Sequence, residues 1–311
     1  MPELRAEAVR PILKWAGGKR QLLPELRPFY PRVFSRYFEP FLGSGAVFLD
    51  LFNAGLLQGR RVALSDINAD IIGCYLMVRD RPAAVVAALR ALEGRHRRRG
   101  EGHFYDVRDN AFNPTRRHVH ASADPAGSYT PALAAMLIYL NRTGFNGLFR
   151  VNGRGDFNVP AGRYTRPLIC DEANLFAWSG ALNGPGVTVA MATFERALES
   201  AGQDDFVYLD PPYAPVSATS RFTAYTAGGF GSLQQETLQR MVVAMASRGA
   251  SVLLSNSAAP QIRALYARDR HARTAGLKAT TVSARRAINS RAASRGAVQE
   301  YLITNVARRS V

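Results

Sequence analysis

An apolar stretch that ends in Asp210-Pro211-Pro212-Tyr213 constrains the fold of this chain more than any other feature. Residues 205–209 (DFVYL) are typical of a buried strand, so the tetrapeptide lies directly at the C-terminal end of that strand. Open α/β sheets bind their ligands at this edge. Two prolines stiffen the loop and remove two backbone donors, whereas the carbonyls can still accept hydrogen bonds. A purely structural Pro-Pro turn with a packed tyrosine is the alternative, which the whole tetrapeptide in this position disfavours.

The tetrapeptide carries groups that suit chemistry at the amino nitrogen of a base. The Asp210 carboxylate and the Pro211 carbonyl can accept hydrogen bonds from an exocyclic amine and direct its lone pair toward a methyl donor. Tyr213 offers a flat face on which the base can stack. Because such an amine is a poor nucleophile, its orientation matters more than a strong base. Asp210, Pro211, Pro212 and Tyr213 are therefore the candidate catalytic residues.

A glycine turn follows an earlier strand. Residues 37–38 are typical of a short strand, Gly43 and Gly45 form the turn, and residues 46–53 have the apolar periodicity of a helix. Such a turn lets the backbone approach a nucleotide-like ligand closely. Phe48 occupies the place of the third glycine in the dinucleotide fingerprint. An adenosyl cofactor without a pyrophosphate is therefore favoured over NAD.

Asp66 ends a second strand, predicted over residues 61–65, about 20 residues after the glycine turn. An acid in that place can accept hydrogen bonds from both hydroxyls of a ribose. The alternative is that Asp66 caps a helix predicted over residues 69–78. The order of strand, glycine turn, helix, strand and acid indicates a mononucleotide-binding unit and an α/β fold.

Residues 79–171 interrupt the α/β pattern with helical stretches and Arg-rich polar loops. We interpret this span as an inserted recognition domain, and residues 1–78 and 172–311 as the catalytic domain. Within it, residues 139–150 interleave aromatic residues, glycines and arginines. Arginine can bind guanine bidentately, and an apolar wedge can fill the space left by a displaced base. An ordinary loop with buried phenylalanines fits this segment equally well.

The charge and cysteine content indicate the partners of the chain. Its formal net charge of +16 favours duplex DNA as a partner over a membrane surface. Its two cysteines, Cys74 and Cys170, form no Cys-x-x-Cys pair, so no metal site is expected. No apolar run is long enough to span a bilayer and no signal-peptide core is present, which predicts a cytoplasmic, DNA-associated protein. Nothing in the sequence indicates an obligate protein partner.

These motifs coincide in order with those of the Dam-type DNA adenine-N6 methyltransferases, the D12 class, which the chain resembles from Ile12 to about Thr304. The matching segments are residues 14–19, 39–45, 66–68, 139–150, 157–164, 210–215, 217–219, 222–225 and 254–256. Cofactor motifs, then a recognition domain, then Asp-Pro-Pro-Tyr is the order of the family's alpha group.

The resemblance implies a Rossmann-like class I methyltransferase sheet, mostly parallel and of about seven strands, with an inserted, mainly helical DNA-recognition domain. It implies S-adenosylmethionine as the methyl donor and adenine in GATC as the target. Together with the glycine turn and Asp66, it makes these residues the candidate cofactor contacts: Trp15, Lys19, Phe41, Gly43, Gly45, Asp66, Ile67 and Asp210.

The resemblance also assigns base-reading roles. Lys14 is expected to read an outer guanine, Arg150 to read the G·C pair on the far side, and Phe145 to enter the stack beside the flipped base. Residues matching Leu148 and Pro160 touch thymine methyl groups in the family. The full set of candidate DNA-recognition residues is Lys14, Phe145, Asn146, Leu148, Arg150, Asn158 and Pro160.

The chain departs from the family pattern at two places. Thr143 and Phe145 stand where tyrosines are familiar, so Phe145 can stack but lacks a hydroxyl. Residues 118–131 resemble an inserted loop.

Three other functions fit parts of the pattern. Amino-cytosine (N4) methylation uses the same geometry on another base. Methylation of RNA or of protein glutamine also occurs beside a Pro-Pro-Tyr turn, but the aspartate at position 210 and the charge of +16 disfavour it. A non-catalytic DNA-binding relative is the third, and the intact cofactor motifs argue against it.

Overall fold

The computed structural model describes residues 7–15, 17, 19–215, 230–285 and 297–309. The chain forms two compact units. The first, here called the sheet unit, comprises Gly17–Leu42, Gly59–Asn68 and Pro185–Val311. The second, the helical unit, comprises Met1–Ala16, Gly43–Gln58 and Ala69–Gly184. The family segments at residues 217–219 and 222–225 lie outside the described residues, as do Ala16 and Gly18.

The sheet unit is built on a seven-stranded sheet with the order β3-β2-β1-β4-β5-β7-β6. Its strands are β1 (Arg36–Glu39), β2 (Arg61–Asp66), β3 (Val187–Met191), β4 (Asp205–Leu209), β5 (Ser251–Ser257), β6 (Lys278–Arg285) and β7 (Ala297–Thr304). The first five strands in this order, β3, β2, β1, β4 and β5, pair in parallel. Strand β7 lies between β5 and β6 and is antiparallel to both. The expected mostly parallel methyltransferase-like sheet is therefore confirmed.

Helices follow the strands and fill the central span of the sequence. The α-helices of the described residues are α1 (Leu23–Leu26), α2 (Ala46–Asn53), α3 (Ala69–Asp80), α4 (Pro82–Arg99), α5 (Glu101–Asp106), α6 (Asn113–His120), α7 (Pro131–Thr143), α8 (Glu172–Leu182), α9 (Phe194–Ala197), α10 (Ser232–Ser247), α11 (Pro260–Ile262) and α12 (Arg270–Thr274). Shorter 3-10 turns span Lys19–Gln21, Arg27–Phe29 and Phe145–Gly147, and π-helical segments span Val107–Phe112 and Arg263–Arg268. None of these helices is both long and apolar enough to cross a membrane.

The central strand β4 explains why the sheet positions a site. Every residue of β4 is buried, as expected for a strand covered on both faces. On one face Val207 and Leu209 share a core with Leu238 and Val242 of α10. On the other face Phe206 contacts the aromatic rings of neighbouring segments, which are those of Tyr30, Phe34 and Tyr37. Packing on both faces fixes the end of β4, from which Asp210 leaves the sheet.

The helical unit has its own core. Trp178 of α8 is fully buried and stacks on Tyr75 of α3, with ring centres 4.9 Å apart. Phe48 of α2 packs on the same indole. These contacts explain why α2, α3 and α8 group with the central helices, although we expected them in the catalytic domain. The division into compact units does not show which residues bind DNA. A recognition domain over residues 79–171 therefore stays a prediction.

Three features differ from the sequence-based expectations. Residues 118–120, expected within an inserted loop, form the last turn of α6, and the irregular segment begins after them. Strands β3 and β6 were not expected, because both are edge strands. All residues of β3 are partly or fully exposed, although its sequence, VTVAM, is a short apolar run that could have indicated a strand. Strand β6 has the largely polar sequence KATTVSAR and lacks the apolar run that marks a buried strand.

Candidate active site

The Asp210 carboxylate directly follows β4 and has one oxygen engaged. Its Oδ1 accepts hydrogen bonds from the Lys19 ammonium at 2.8 Å and from Ser255 Oγ at 3.1 Å. Within the described part of the chain, Oδ2 has no hydrogen-bond donor. The side chain retains 20% of its accessible surface. One carboxylate oxygen is thus fixed, and the other can accept a bond from a ligand.

The surroundings of Asp210 shift its acidity. Burial raises the pKa of this carboxyl above its ordinary value, while the charge and hydrogen bond of Lys19 and the bond from Ser255 oppose that rise. The charge of Glu300 adds to the rise. The net result is a raised pKa, so the carboxylate protonates at a higher pH than an exposed aspartate.

Buried polar side chains hold the backbone of the loop after Asp210. Gln235 Nε2 donates to the Pro212 carbonyl at 3.0 Å, and Asn256 Oδ1 accepts from the Ala214 N–H at 3.3 Å. Asn256 Nδ2 in turn donates to Gln235 Oε1 at 3.1 Å, so the two amides lock each other. Among the described residues, no donor bonds the Pro211 carbonyl. The Pro212 carbonyl is therefore engaged within the protein, while that of Pro211 can accept from a ligand.

Tyr213 is held at its hydroxyl and over its ring. Its hydroxyl donates to Glu300 Oε2 at 2.8 Å, and Lys19 Nζ lies 4.6 Å from the ring centre. Burial, with the charges of Asp210 and Glu300, holds the pKa of the Tyr213 phenol well above its usual value. The phenol therefore stays protonated and acts as a donor. Local sequence did not single out Glu300, which follows the exposed Gln299 in the middle of β7 (AVQEYLIT).

Other candidate cofactor residues of the sheet unit lie at strand ends. Asp66 ends β2, and its Oδ1 accepts the N–H of Asn68 at 2.9 Å. Because α3 begins at Ala69, this bond precedes the helix and does not cap an N–H of its first turn. Ile67 is apolar yet 56% exposed. Phe41 stacks on Phe194, with ring centres 5.6 Å apart. Phe230 contacts both rings and completes an aromatic cluster that the sequence analysis missed.

The helical unit carries the rest of the predicted cofactor set. Gly43 and Gly45 have φ of +48° and +66°, in the left-handed region that favours glycine. A Cβ on Gly43 would lie 3.1 Å from Cδ1 of Trp15. Tyr75 donates its hydroxyl to the Gly43 carbonyl at 2.7 Å, and Trp15 stacks on Phe149 at 5.3 Å. The glycine turn is thus fixed close to the Trp15 indole.

Lys14 is held by a residue that sequence reasoning missed. Asn141 Oδ1 accepts the Lys14 N–H at 2.7 Å, while Asn141 Nδ2 donates to the carbonyls of Lys14 at 2.8 Å and Gly147 at 3.0 Å. The Lys14 ammonium lies 4.6 Å from the centre of the Tyr164 ring. An asparagine in the last turn of an apolar helix was the available signal for this role.

Arg150 and Asn158 face each other across a short hairpin. Arg150 Nε donates to Asn158 Oδ1 at 2.8 Å, and an isolated bridge pairs Val151 with Phe157. Phe145 is 43% exposed, and its N–H donates to the Pro160 carbonyl at 2.8 Å. Between Phe145 and Arg150, Asn146 has a left-handed conformation and Leu148 is partly exposed. The helical unit therefore brings the predicted recognition residues other than Lys14 onto one hairpin (residues 150–158) and the turns that flank it.

No cluster of His, Cys, Asp and Glu suited to a metal ion occurs within the described ranges. Cys74 is buried, and burial raises the pKa of its thiol. Burial also raises the pKa of Cys170. Both groups are therefore thiols rather than thiolates at neutral pH, and neither has the setting of a nucleophile.

Comparisons with known proteins show the family of the chain. The family model for D12 class N6 adenine-specific DNA methyltransferases matches residues 15–288. The chain is 34% identical over 302 residues to Type II methyltransferase M1.LlaDCHI of Lactococcus lactis subsp. cremoris, which covers 96% of this chain and 95% of that protein. It is 36% identical over 258 residues to Type II methyltransferase M.MjaIII of Methanocaldococcus jannaschii, covering 80% and 84%.

A third relative is the DNA adenine methylase of Escherichia coli (strain K12), 34% identical over 293 residues, with 94% of each chain covered. The family match and these relatives span most of the sequence, including the glycine turn and the Asp-Pro-Pro-Tyr motif. The chain therefore belongs to the D12 class of N6 adenine-specific DNA methyltransferases.

Proposed function

We propose that this protein transfers the methyl group of S-adenosylmethionine to N6 of adenine within GATC in duplex DNA. The observation that carries the proposal is the end of β4, where no donor among the described residues bonds Asp210 Oδ2 or the Pro211 carbonyl, both of which precede Tyr213. These are two acceptors and a stacking surface, which is what an adenine amino group requires. Relatives that are DNA adenine methylases support the choice of base.

The residues fit S-adenosylmethionine as the donor. An acid at the end of β2, Asp66, suits the ribose hydroxyls, and the exposed Ile67 and the Phe41 ring suit the adenine of the cofactor. The left-handed Gly43 and Gly45 allow close approach of a ligand to the backbone. We extend the proposed cofactor contacts to Trp15, Lys19 and Asp210. When bound, S-adenosylmethionine supplies the electrophilic methyl group.

The protein's own residues bind and orient the base. The +16 charge of the chain attracts the duplex, and the target adenine leaves the stack to reach the active site. Tyr213 supports the ring of the flipped base, while Asp210 Oδ2 and the Pro211 carbonyl each accept one amino hydrogen. Both bonds draw the lone pair of N6 out of conjugation with the ring and aim it along one line. Orientation of this kind replaces a strong base.

We propose that Lys14 and the hairpin of residues 150–158, with its flanking turns, read the bases. Arg150 suits a bidentate contact to guanine, and the Lys14 ammonium suits a second guanine. Phe145, exposed at its turn, suits the gap beside the flipped base, and Leu148 and Pro160 suit thymine methyl groups. We also propose Asn146 and Asn158 as DNA contacts.

Mapping methylation in DNA from cells that express the protein tests the proposal. Digestion with paired nucleases that cut GATC, one blocked by adenine methylation and one indifferent to it, should show protection only against the first. DNA from cells that express Asp210→Ala at the same level is the control and should be cut by both. Methyladenine at other sequences would retain the chemistry and reject GATC. Methylcytosine instead of methyladenine in the hydrolysed nucleosides would favour N4-cytosine methylation.

A further inference from the structure

A buried carboxylate on β7 contacts the ring proposed to carry the base. Glu300 retains only 7% of its accessible surface, and its Oε2 accepts the Tyr213 hydroxyl hydrogen at 2.8 Å. Strand β7 places Glu300 opposite Val282 of β6 and opposite Ser257, the last residue of β5, at the same end of the sheet as the loop that follows β4. A carboxylate in such a position is costly unless it is hydrogen-bonded. Its bond to Tyr213 is therefore a feature that needs a functional or structural reason.

We propose that Glu300 is a positioning residue for methyl transfer, which fixes the Tyr213 ring for the target base and sets the electrostatic environment of Asp210. The proposal rests on the function proposed above. Glu300 touches neither the base nor the donor, and acts through Tyr213 and Asp210.

The first part of the role is geometric. A tyrosine side chain has two rotatable angles. The hydroxyl oxygen lies on the axis of the second, so the bond to Glu300 fixes the first angle and with it the position of the ring, while Lys19 Nζ, 4.6 Å from the ring centre, restrains rotation about the second. The near end is fixed by the loop, because Gln235 holds the Pro212 carbonyl and Asn256 holds the Ala214 N–H. With Glu300 in place, the ring is held from both ends before the base arrives. A base stacked on a ring that could rotate would lose the alignment of its amino group, to which transfer rates are sensitive.

The second part is electrostatic. The groups that act on the Asp210 carboxyl come from three elements: Lys19 from its 3-10 turn, Ser255 from β5 and Glu300 from β7. The Asp210 charge in turn raises the pKa of the nearby phenols of Tyr208 and Tyr213, which stay neutral. Lys19 and Ser255 stabilise the carboxylate, whereas the Glu300 charge disfavours it. Removal of that charge alone should therefore lower the pKa of Asp210.

Two variants of the full-length enzyme separate these parts. Glu300→Gln keeps an oxygen that can accept the Tyr213 hydroxyl hydrogen but has no charge, and Glu300→Ala removes both. With saturating S-adenosylmethionine and a GATC duplex, we expect Glu300→Ala to lower kcat about tenfold with little change in KM for either substrate. Glu300→Gln should restore most of that turnover, while the acid limb of its kcat–pH profile moves to lower pH.

A spectroscopic measurement reports the stacked base directly. A fluorescent adenine analogue at the target position should show a weaker change on binding to Glu300→Ala than to the wild type or Glu300→Gln. Tyr213→Phe lacks the hydroxyl, so adding Glu300→Ala to it should cost little further turnover.

Wild-type turnover distinguishes the two proposals. If the wild type methylates GATC, but Glu300→Ala retains kcat within twofold or the acid limb of Glu300→Gln does not move, the role of Glu300 is rejected and the proposed function stands. If the wild type transfers no methyl group to adenine, the proposed function itself is rejected. Should Glu300→Ala not fold, as judged by circular dichroism, the pH profile of Glu300→Gln decides alone.

Discussion

The Lys19 ammonium lies 2.8 Å from Oδ1 of Asp210, and the same nitrogen lies above the Tyr213 ring. Lys19 Nζ also donates to the Gly17 carbonyl at 2.6 Å, which anchors the ammonium from behind. One buried cation therefore orients both parts of the proposed acceptor site. Because it takes Oδ1, the open oxygen of Asp210 is Oδ2.

The first prediction concerns the pH dependence of Lys19 variants. Lys19 opposes the burial that raises the pKa of Asp210, so Lys19→Met should raise that pKa further. Protonation removes the negative charge of Asp210 and makes one of its oxygens a donor, so activity falls as the pH falls through the pKa of Asp210. The acid limb of kcat should therefore move to higher pH in Lys19→Met and stay near the wild-type position in Lys19→Arg. Equal acid limbs in the two variants would refute this role for Lys19.

The second prediction concerns Asp210 itself. Asp210→Ala removes the acceptor and should lower kcat by about 10³-fold or more, because the amine then lacks its fixed orientation. Duplex binding, measured by fluorescence anisotropy, should change little. Asp210→Asn keeps one acceptor oxygen without the charge, so its kcat should lie between those of the wild type and Asp210→Ala. Near-normal transfer of labelled methyl groups by Asp210→Ala would reject Asp210 as the acceptor.

The third prediction concerns base discrimination by Arg150. Asn158 engages the Nε edge of the guanidinium, which leaves the outer edge for a guanine. Arg150→Lys cannot make a bidentate contact, so discrimination at one G·C pair should fall by about 1–3 kcal/mol. Asn158→Ala should produce a smaller loss at the same pair. The ratio of kcat/KM on GATC and on duplexes substituted at that pair measures both effects, and an unchanged ratio in Arg150→Lys would count against the assignment.

The fourth prediction concerns the turn beside Lys14. Gly147 has φ of +63°, and a Cβ there would lie 2.4 Å from Cδ of Lys14. Gly147→Ala should displace Lys14 and strain the turn, so kcat/KM on GATC should fall about tenfold or more. Gly153→Ala is the matched control, because a Cβ there meets no atom within 4 Å. Equal kcat/KM values for the two variants would show that the Lys14 position does not matter.

The fifth prediction concerns stability. Asp70 is fully buried in the helical unit and accepts hydrogen bonds from Arg116, at 2.7 Å from Nη2, and from the Tyr129 hydroxyl at 2.7 Å. His120 Nε2 lies 3.0 Å from the same carboxylate. Asp70→Asn leaves the buried Arg116 charge uncompensated and should cost about 3–5 kcal/mol of unfolding free energy. Asp80→Asn, in a partly exposed pair with Arg79, is the control and should cost under about 1 kcal/mol.

The pH dependence of that stability has a definite sign. Burial alone would raise the pKa of Asp70, but the bonds and charges of His120 and Arg116 outweigh it and lower the pKa. The contribution of Asp70 is therefore present above the ordinary carboxyl pKa and is lost as the pH falls through the lowered value. The difference in Tm between wild type and Asp70→Asn should accordingly shrink in acid. A difference that grows in acid would contradict the assignment.

Several elements of the fold and the site could be predicted because they depend on local properties of the chain. The apolar run before Asp210 predicted β4, and the glycines after residues 37–38 predicted the turn that leads into α2. Glycine and proline act through their own backbone angles, and a strand covered on both faces needs an unbroken apolar run. The edge strand β6 lacks that run, so local pattern did not reveal it, whereas the short apolar run VTVAM of β3 was overlooked.

The sequence by itself determined the family, the α/β class of the fold and the position of the Asp-Pro-Pro-Tyr loop, because these follow from motifs and from local periodicity. Only the tertiary structure decided which residues hold those motifs. Tyr213 and Glu300 are 87 positions apart, and Lys14 and Asn141 are 127 apart. Pairing of strands and packing of helices bring such residues together, and neither leaves a periodic mark at the separate positions. The groups that orient the reacting residues are therefore evident only in the folded chain.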